Sequence, residues 1–177
     1  MCLDRIKKLN QKKDIICYKV FHSVVNDYGG FSMLSIIRDY PYEMGAVHST
    51  NTDFPEIKYI KYNGPNKKPY IRGNSFHSFK TLYGAKKFAK LFAGRNDTMP
   101  EKSKAILVAK CIIPSDSNFT YKGRFIESDF NLRSYASEKL KPIEIVTSYP
   151  IIGKSKQNNN CKVKPVIPDP GTGDVYI

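Results

Sequence analysis

Two apolar runs constrain this chain more than any other feature: IICYKVFHSVV over 15–25 and AILVAKCIIP over 105–114. Both are dense in β-branched and aromatic residues. Such runs suit strands covered on both faces, so each is expected as a core strand, the second stopped by Pro114. Between them lies the one strong helical signal, at 78–93. Leu82, Ala85, Phe88, Ala89 and Phe92 recur at steps of three and four and share a face, while Lys86, Lys87 and Lys90 fall on another. Ser78 or Thr81 can cap its start and Gly94 its end, and Gly84 weakens it inside. Strands on either side of a single helix predict an α+β domain. Its sheet should be mostly antiparallel, with five or six strands and the helix packed on one face.

The remaining segments fill in that layout. FSMLSIIRDY reads as a short helix or a second strand ending before Pro41, and YEMGAVHST as an extended run. PEIKYIKYNG is an imperfect strand closed by the loop PNKKP. NFTYKGRFI suggests a hairpin partner, and LKPIEIVTSYPII a last, interrupted strand. Residues 14–150 are expected to form one domain, preceded by a basic lead-in over 1–13. The Asn-, Lys- and Pro-rich segment 151–177 reads as an extended or disordered tail. No stretch approaches the roughly 20 apolar residues that a membrane-spanning helix needs, so no membrane partner is expected. The basic, polar start does not resemble a signal peptide, which predicts a cytoplasmic protein.

Charge is abundant and unevenly placed. The 177 residues carry 29 Lys and Arg against 16 Asp and Glu, a formal net charge of +13. From Lys58 to Arg95 there is no acid at all, while Lys58, Lys61, Lys67, Lys68, Arg72, Lys80, Lys86, Lys87, Lys90 and Arg95 accumulate. Tyr59, Tyr62, Tyr70, Phe76, Phe79, Tyr83, Phe88 and Phe92 are interleaved with them. Cations attract phosphates, and exposed rings stack on unpaired bases, so the segment is a candidate surface for nucleic acid or a nucleoprotein. An acidic protein surface would be attracted too. A solvated basic face over a core of rings is the plain alternative.

Catalytic signatures are absent from the sequence: no Walker loop, GxGxxG, HExxH or GxSxG, and no Cys or His at metal spacing. Neither a metal nor a cofactor is implied. Cys17 and Cys111 sit in apolar runs and read as small buried hydrophobes. Cys2 would become N-terminal if Met1 were removed, an arrangement some amidohydrolases use, but a charged surface lead-in follows it. One constellation resembles the catalytic core of mono-ADP-ribosyltransferases: a basic residue on the first strand (Lys19 or His22), a middle Phe76-His77-Ser78, and a late Glu138 or Glu144. That resemblance implies an NAD-using enzyme in which the first holds the nicotinamide ribose and the Glu polarises it. The middle segment departs from the usual Ser-Thr-Ser.

Several motifs together resemble a group of short, functionally uncharacterised proteins of gut bacteria and their phages. They are the opening MCL followed by KKDIICYKV, a central FHSFKT entering a helix, VAKCIIP, and YASEKLKPIEI near the end. The likeness covers roughly residues 1–146 and transfers a setting without a reaction. It implies a non-enzymatic binding protein of phage type, acting on nucleic acid or a nucleoprotein, for example as an inhibitor of a host defence complex. An alternative it admits is a structural component of the virion.

Overall fold

The computed structural model describes residues 3–25, 30–36, 40–61, 67–94, 103–125 and 132–151, with only the backbone described at 60, 61, 67 and 68. In chain order the elements are β1 (Leu3–Lys8), β2 (Ile15–Val25), β3 (Phe31–Ser35), β4 (Pro41–Tyr42), β5 (His48–Ser49) and β6 (Glu56–Lys61). There follow β7 (Lys67–Gly73), β8 (Phe76–Phe79), helix α1 (Leu82–Ala93), β9 (Ser103–Ile113), β10 (Thr120–Phe125), β11 (Leu132–Ser137) and β12 (Lys139–Pro150). The strand order is β5-β12-β9-β2-β8-β11-β10-β1-β7-β6, with β3 on β2 and β4 on β3. Among the described residues every strand pairing is antiparallel.

The two apolar runs are the centre of this sheet. β2 and β9 pair along almost their whole length, from Ile15↔Ile113 to Val24↔Ser103. The other edge of β2 is divided: β8 meets it at Tyr18↔Phe79, whereas β3 takes it from Phe21 to Val25. The sheet therefore forks between Tyr18 and Phe21. Alternation sends successive side chains to opposite faces, and each face has its own core. On one, Val20, Phe79, Ile106, Val108, Phe125 and Leu132 pack under Ala85, Phe88 and Ala89 of α1. On the other lie Cys17, Phe21, Phe76, Ala109, Cys111, Ile113, Tyr135 and Leu140, with Met33 and Tyr42 from the fork's short arm.

The α+β architecture with a helix on a mostly antiparallel sheet agrees with the sequence, but among the described residues the sheet has 12 strands in place of five or six. The extra strands are ones whose own sequence carries little apolar signal. β4 and β5 have two residues each. FHSF, which the pattern merges with the helix, is a separate strand with every residue buried. The helix accordingly begins at Leu82, with the Thr81 hydroxyl accepting from Gly84 N at 3.2 Å. Lys67 to Pro69, expected in a loop, pair with β6. FSMLS is a strand and not a helix.

The basic lead-in also holds a strand. Leu3–Lys8 is hydrogen-bonded between β10 and β7, and Leu3 is fully buried with Ile71 and Ala136. The tail from 152 and the residues 1 and 2, including Cys2, lie outside the described residues. β1 bulges between Asp4 and Lys7, where Arg5 adopts φ +49°. Opposite the bulge stands Gly123, at which a Cβ would come within 2.5 Å of Asp4 O and 2.8 Å of Leu3 Cγ. A side chain cannot be added there without moving β1. Gly123→Ala should lower stability by about 1–3 kcal/mol, read from urea unfolding; an unchanged midpoint would show that β1 is not docked against β10.

Candidate anion-binding face

The sheet face opposite α1 differs along its length. Over β2 and β9 it is covered by Tyr42 and its neighbours; over β11, β10 and β1 it carries exposed cations. Register defines two rows. In the first, Arg133 pairs with Arg124, Arg124 with Asp4, Asp4 with Tyr70, and Tyr70 with Lys58. In the second, Ser78 pairs with Tyr135, Tyr135 with Lys122, and Lys122 with Lys7. Cross-strand partners share a face, so Arg133, Arg124, Lys122 and Lys7, all exposed, stand within side-chain reach of one another with Asp4 as the acid among them. Like charges directly opposite repel. A fold that places Arg124 beside Arg133 and Lys122 beside Lys7 accepts that cost on this face.

The sequence window from Lys58 to Arg95 does not fold into one patch. Lys58 and Arg72, both exposed, share the cationic face by alternation with Tyr70. Lys86, Lys87 and Lys90 are on α1, which packs on the opposite side of the sheet. Lys61, Lys67 and Lys68 are on β6 and β7, without described side chains, and Arg95 lies outside the described residues. Lys58 also has an acid close by: its Nζ is 3.0 Å from Glu56, just outside the acid-free window. The rings are mostly core. Phe76, Phe79, Phe88 and Tyr70 are buried, while exposed Tyr83 and Tyr59 belong to α1 and to the odd-numbered face of β6. Lys122, Arg124 and Arg133 were not singled out by sequence, where Lys7 counts only as part of the basic lead-in, because pairing of β1 with β10 and β11 leaves no signal in their local runs.

Lys19 occupies the fork itself. It is 5% exposed, and its Nζ donates to His77 O at 2.9 Å, supplying a donor to a β8 carbonyl beyond the last β2–β8 pair. The amine also stands over the Tyr42 ring at 5.5 Å and the Phe21 ring at 5.8 Å. Among the described residues no carboxylate forms an ion pair with it. On the same face of β2 and β9, Cys17 and Cys111 are opposite each other in register, both fully buried. The hydrogen bond with Cys17, then burial, push the Cys111 thiol far above its ordinary range, so it supplies no negative charge. Burial likewise raises the Tyr42 phenol well above its usual value.

The residues of the ADP-ribosyltransferase-like constellation lie in different surroundings. Lys19 contacts the middle segment through His77 O, and Ser78 is on the same sheet face as Lys19. His22 points to the opposite face, fully buried, its Nδ1 2.7 Å from Ser103 Oγ. His77 is buried, with Nε2 3.1 Å from Ser75 Oγ. Glu138 is 4% exposed and ties the β11–β12 junction together: Ser49 Oγ donates to Oε1 and Asn118 N to Oε2, both at 2.8 Å. Neutral donors thus hold the carboxylate in a structural role. Glu144 is exposed on β12, opposite Lys110.

Compared with protein-family models, curated proteins and solved structures, the chain shows no significant match. The described residues include no cluster of His, Cys, Asp or Glu able to hold a metal, and no helix among them is long and apolar enough to cross a membrane.

Burial lowers the Lys19 amine from near 10.5 to about 8, with Cys111 and Cys17 acting in the opposite sense. Since the folded value is the lower one, the unfolded chain binds more protons between about pH 8 and 10.5, and stability rises through that window. The stability of Lys19→Met relative to the natural chain should therefore fall by about 3 kcal/mol between pH 7 and 10.5. Urea midpoints measured across pH test this, and a difference independent of pH would mean that the amine is solvated.

Proposed function

We propose that this protein binds nucleic acid through the cationic face formed by β11, β10, β1 and β7. The observation that carries the reading is the register itself, which assembles exposed Arg133, Arg124, Lys122 and Lys7 from three strands onto one side of the sheet. With the rings of the basic window largely committed to the core, contact rests on phosphates more than on stacked bases. Binding of that kind is insensitive to base sequence and weakens steeply with salt. About four phosphate contacts would give a slope near −3 in log affinity against log salt for a single strand. The resemblance to short proteins of gut bacteria and phages extends the target to a nucleoprotein, with obstruction of a host defence complex as the setting it implies.

The double variant Arg124→Glu/Arg133→Glu should weaken binding of a single-stranded oligonucleotide by roughly 100-fold or more at low salt. Lys86→Glu/Lys87→Glu, on the helix side, should leave it within about twofold. Fluorescence anisotropy of a labelled oligonucleotide reads both. Equal losses in the two variants would assign the charge effect to the whole molecule and overturn the reading. Displacement of the oligonucleotide by polyglutamate at matched charge would favour an acidic protein surface instead.

A second reading, an NAD-using transferase, is favoured by the contact between Lys19 and the β8 segment. It requires NAD turnover by the purified protein that disappears in Glu138→Gln. Loss of turnover together with loss of the folded signal would reflect the structural carboxylate alone.

A further inference from the structure

The inner end of the cationic face has features that surface charge does not explain. One step along from the Tyr18↔Phe79 pair, Lys19 stands beside Ser78, so the second row continues inward as Lys7, Lys122, Tyr135, Ser78, Lys19. Exposure falls along it: Lys7 and Lys122 are exposed, Tyr135 is 8% exposed, Ser78 1% and Lys19 5%. Ser78 Oγ is buried and makes no hydrogen bond among the described residues. A buried hydroxyl without a partner and a buried ammonium without a counter-ion each cost free energy, and here they are neighbours. One group would satisfy both, an anion that also accepts hydrogen bonds.

The surroundings specify the kind of anion. Ser78 and Lys19 are buried, with the Tyr42 and Phe21 rings 5.5 and 5.8 Å from the amine, so the open part of the row ends there. An internal phosphodiester, with nucleotides continuing on both sides, cannot be brought to a closed end, whereas a terminal phosphate can. A monoester also carries up to two charges against the diester's one, and its free oxygens can accept from Lys19 Nζ and Ser78 Oγ together. Lys122 stands two strands out from Ser78, roughly 10 Å along the sheet at about 4.8 Å per strand, and is placed to meet the next phosphate. The wall over Lys19 is the shortest kind of element: Tyr42 belongs to the two-residue β4, held to β3 by Met33↔Tyr42 and Leu34↔Pro41. The ring packs on Phe21, His48 and Phe76, with centroids 4.9, 4.8 and 5.7 Å away, so a phosphate reaching the amine must displace it from those rings.

We infer that Lys19 and Ser78 form a receptor for a terminal phosphate monoester at the inner end of the cationic face. The phosphate can come from the end of a nucleic-acid strand or from a free nucleotide. The strand-end source rests on the nucleic-acid reading above; the free nucleotide does not. On binding, the added negative charge favours the protonated amine and raises the Lys19 titration.

The test compares one oligonucleotide with a 5′-phosphate, a 3′-phosphate or hydroxyls at both ends, in anisotropy competition, with AMP and adenosine in parallel thermal-shift titrations. A phosphorylated end should bind at least ten times more tightly than the hydroxyl form, and the preference should vanish in Ser78→Ala and in Lys19→Met. Ser78→Ala removes one hydroxyl and keeps the test valid should Lys19→Met fail to fold. Equal affinity of all three oligonucleotides for the natural protein, with no saturable shift by AMP, overturns the inference and leaves the nucleic-acid reading intact. Saturable stabilisation by AMP and not adenosine, lost in Ser78→Ala, with no oligonucleotide binding, supports the receptor and sinks the nucleic-acid reading.

Discussion

Strand β2 has two edges and three partners, and much of the molecule follows from how that conflict is resolved. β9 takes one edge along its length, leaving the other to be divided between β8 and β3. Backbone groups buried at a divergence must still be satisfied. Lys19 meets part of that need by donating to His77 O, which places an ammonium in the centre of the sheet. The aromatic cover of Tyr42 and Phe21 and the buried thiols of Cys17 and Cys111 surround the charge without pairing it.

The two faces of the sheet have separate tasks. The α1 face is a conventional core in which Phe79, Phe88 and Phe125 pack edge to face and tilted at centroid separations of 5.1 to 5.6 Å. The opposite face is core near the fork and cationic beyond it. This division lets a basic face form on a folded sheet: its arginines sit on strands whose other face is apolar, as where Arg124 adjoins Phe125 and Arg133 adjoins Leu132. Repulsion among Arg133, Arg124, Lys122 and Lys7 is then a surface cost, tolerable beside the burial on the reverse side.

Glu138 shows how motif order misleads. A late Glu after a His-Ser segment matches a catalytic arrangement along the chain, yet its carboxylate closes a junction among β5, the turn at 114–119 and β12. Polar groups in loops beside a sheet are recruited for such closures because buried backbone and hydroxyl donors need acceptors. Only the neighbours in space separate the two roles, and for Glu138 those are Ser49 and Asn118.

The sequence by itself determined β2, β9 and α1, since their apolar periodicity is strong enough to act before any partner is known. It also determined the α+β class and the excess of positive charge. It did not determine the weakly apolar strands β1, β7 and β11, whose place depends on neighbours that lend them hydrogen bonds and a covered face. Nor did it locate the working charge. The acid-free window looked like one patch along the chain, but alternation and layer packing put Lys58 and Arg72 on one side of the sheet and Lys86, Lys87 and Lys90 on the other. Arg124, Arg133, Lys122 and Lys7 came together only through register, because cross-strand proximity is set by pairing across the sheet and leaves no trace in linear spacing.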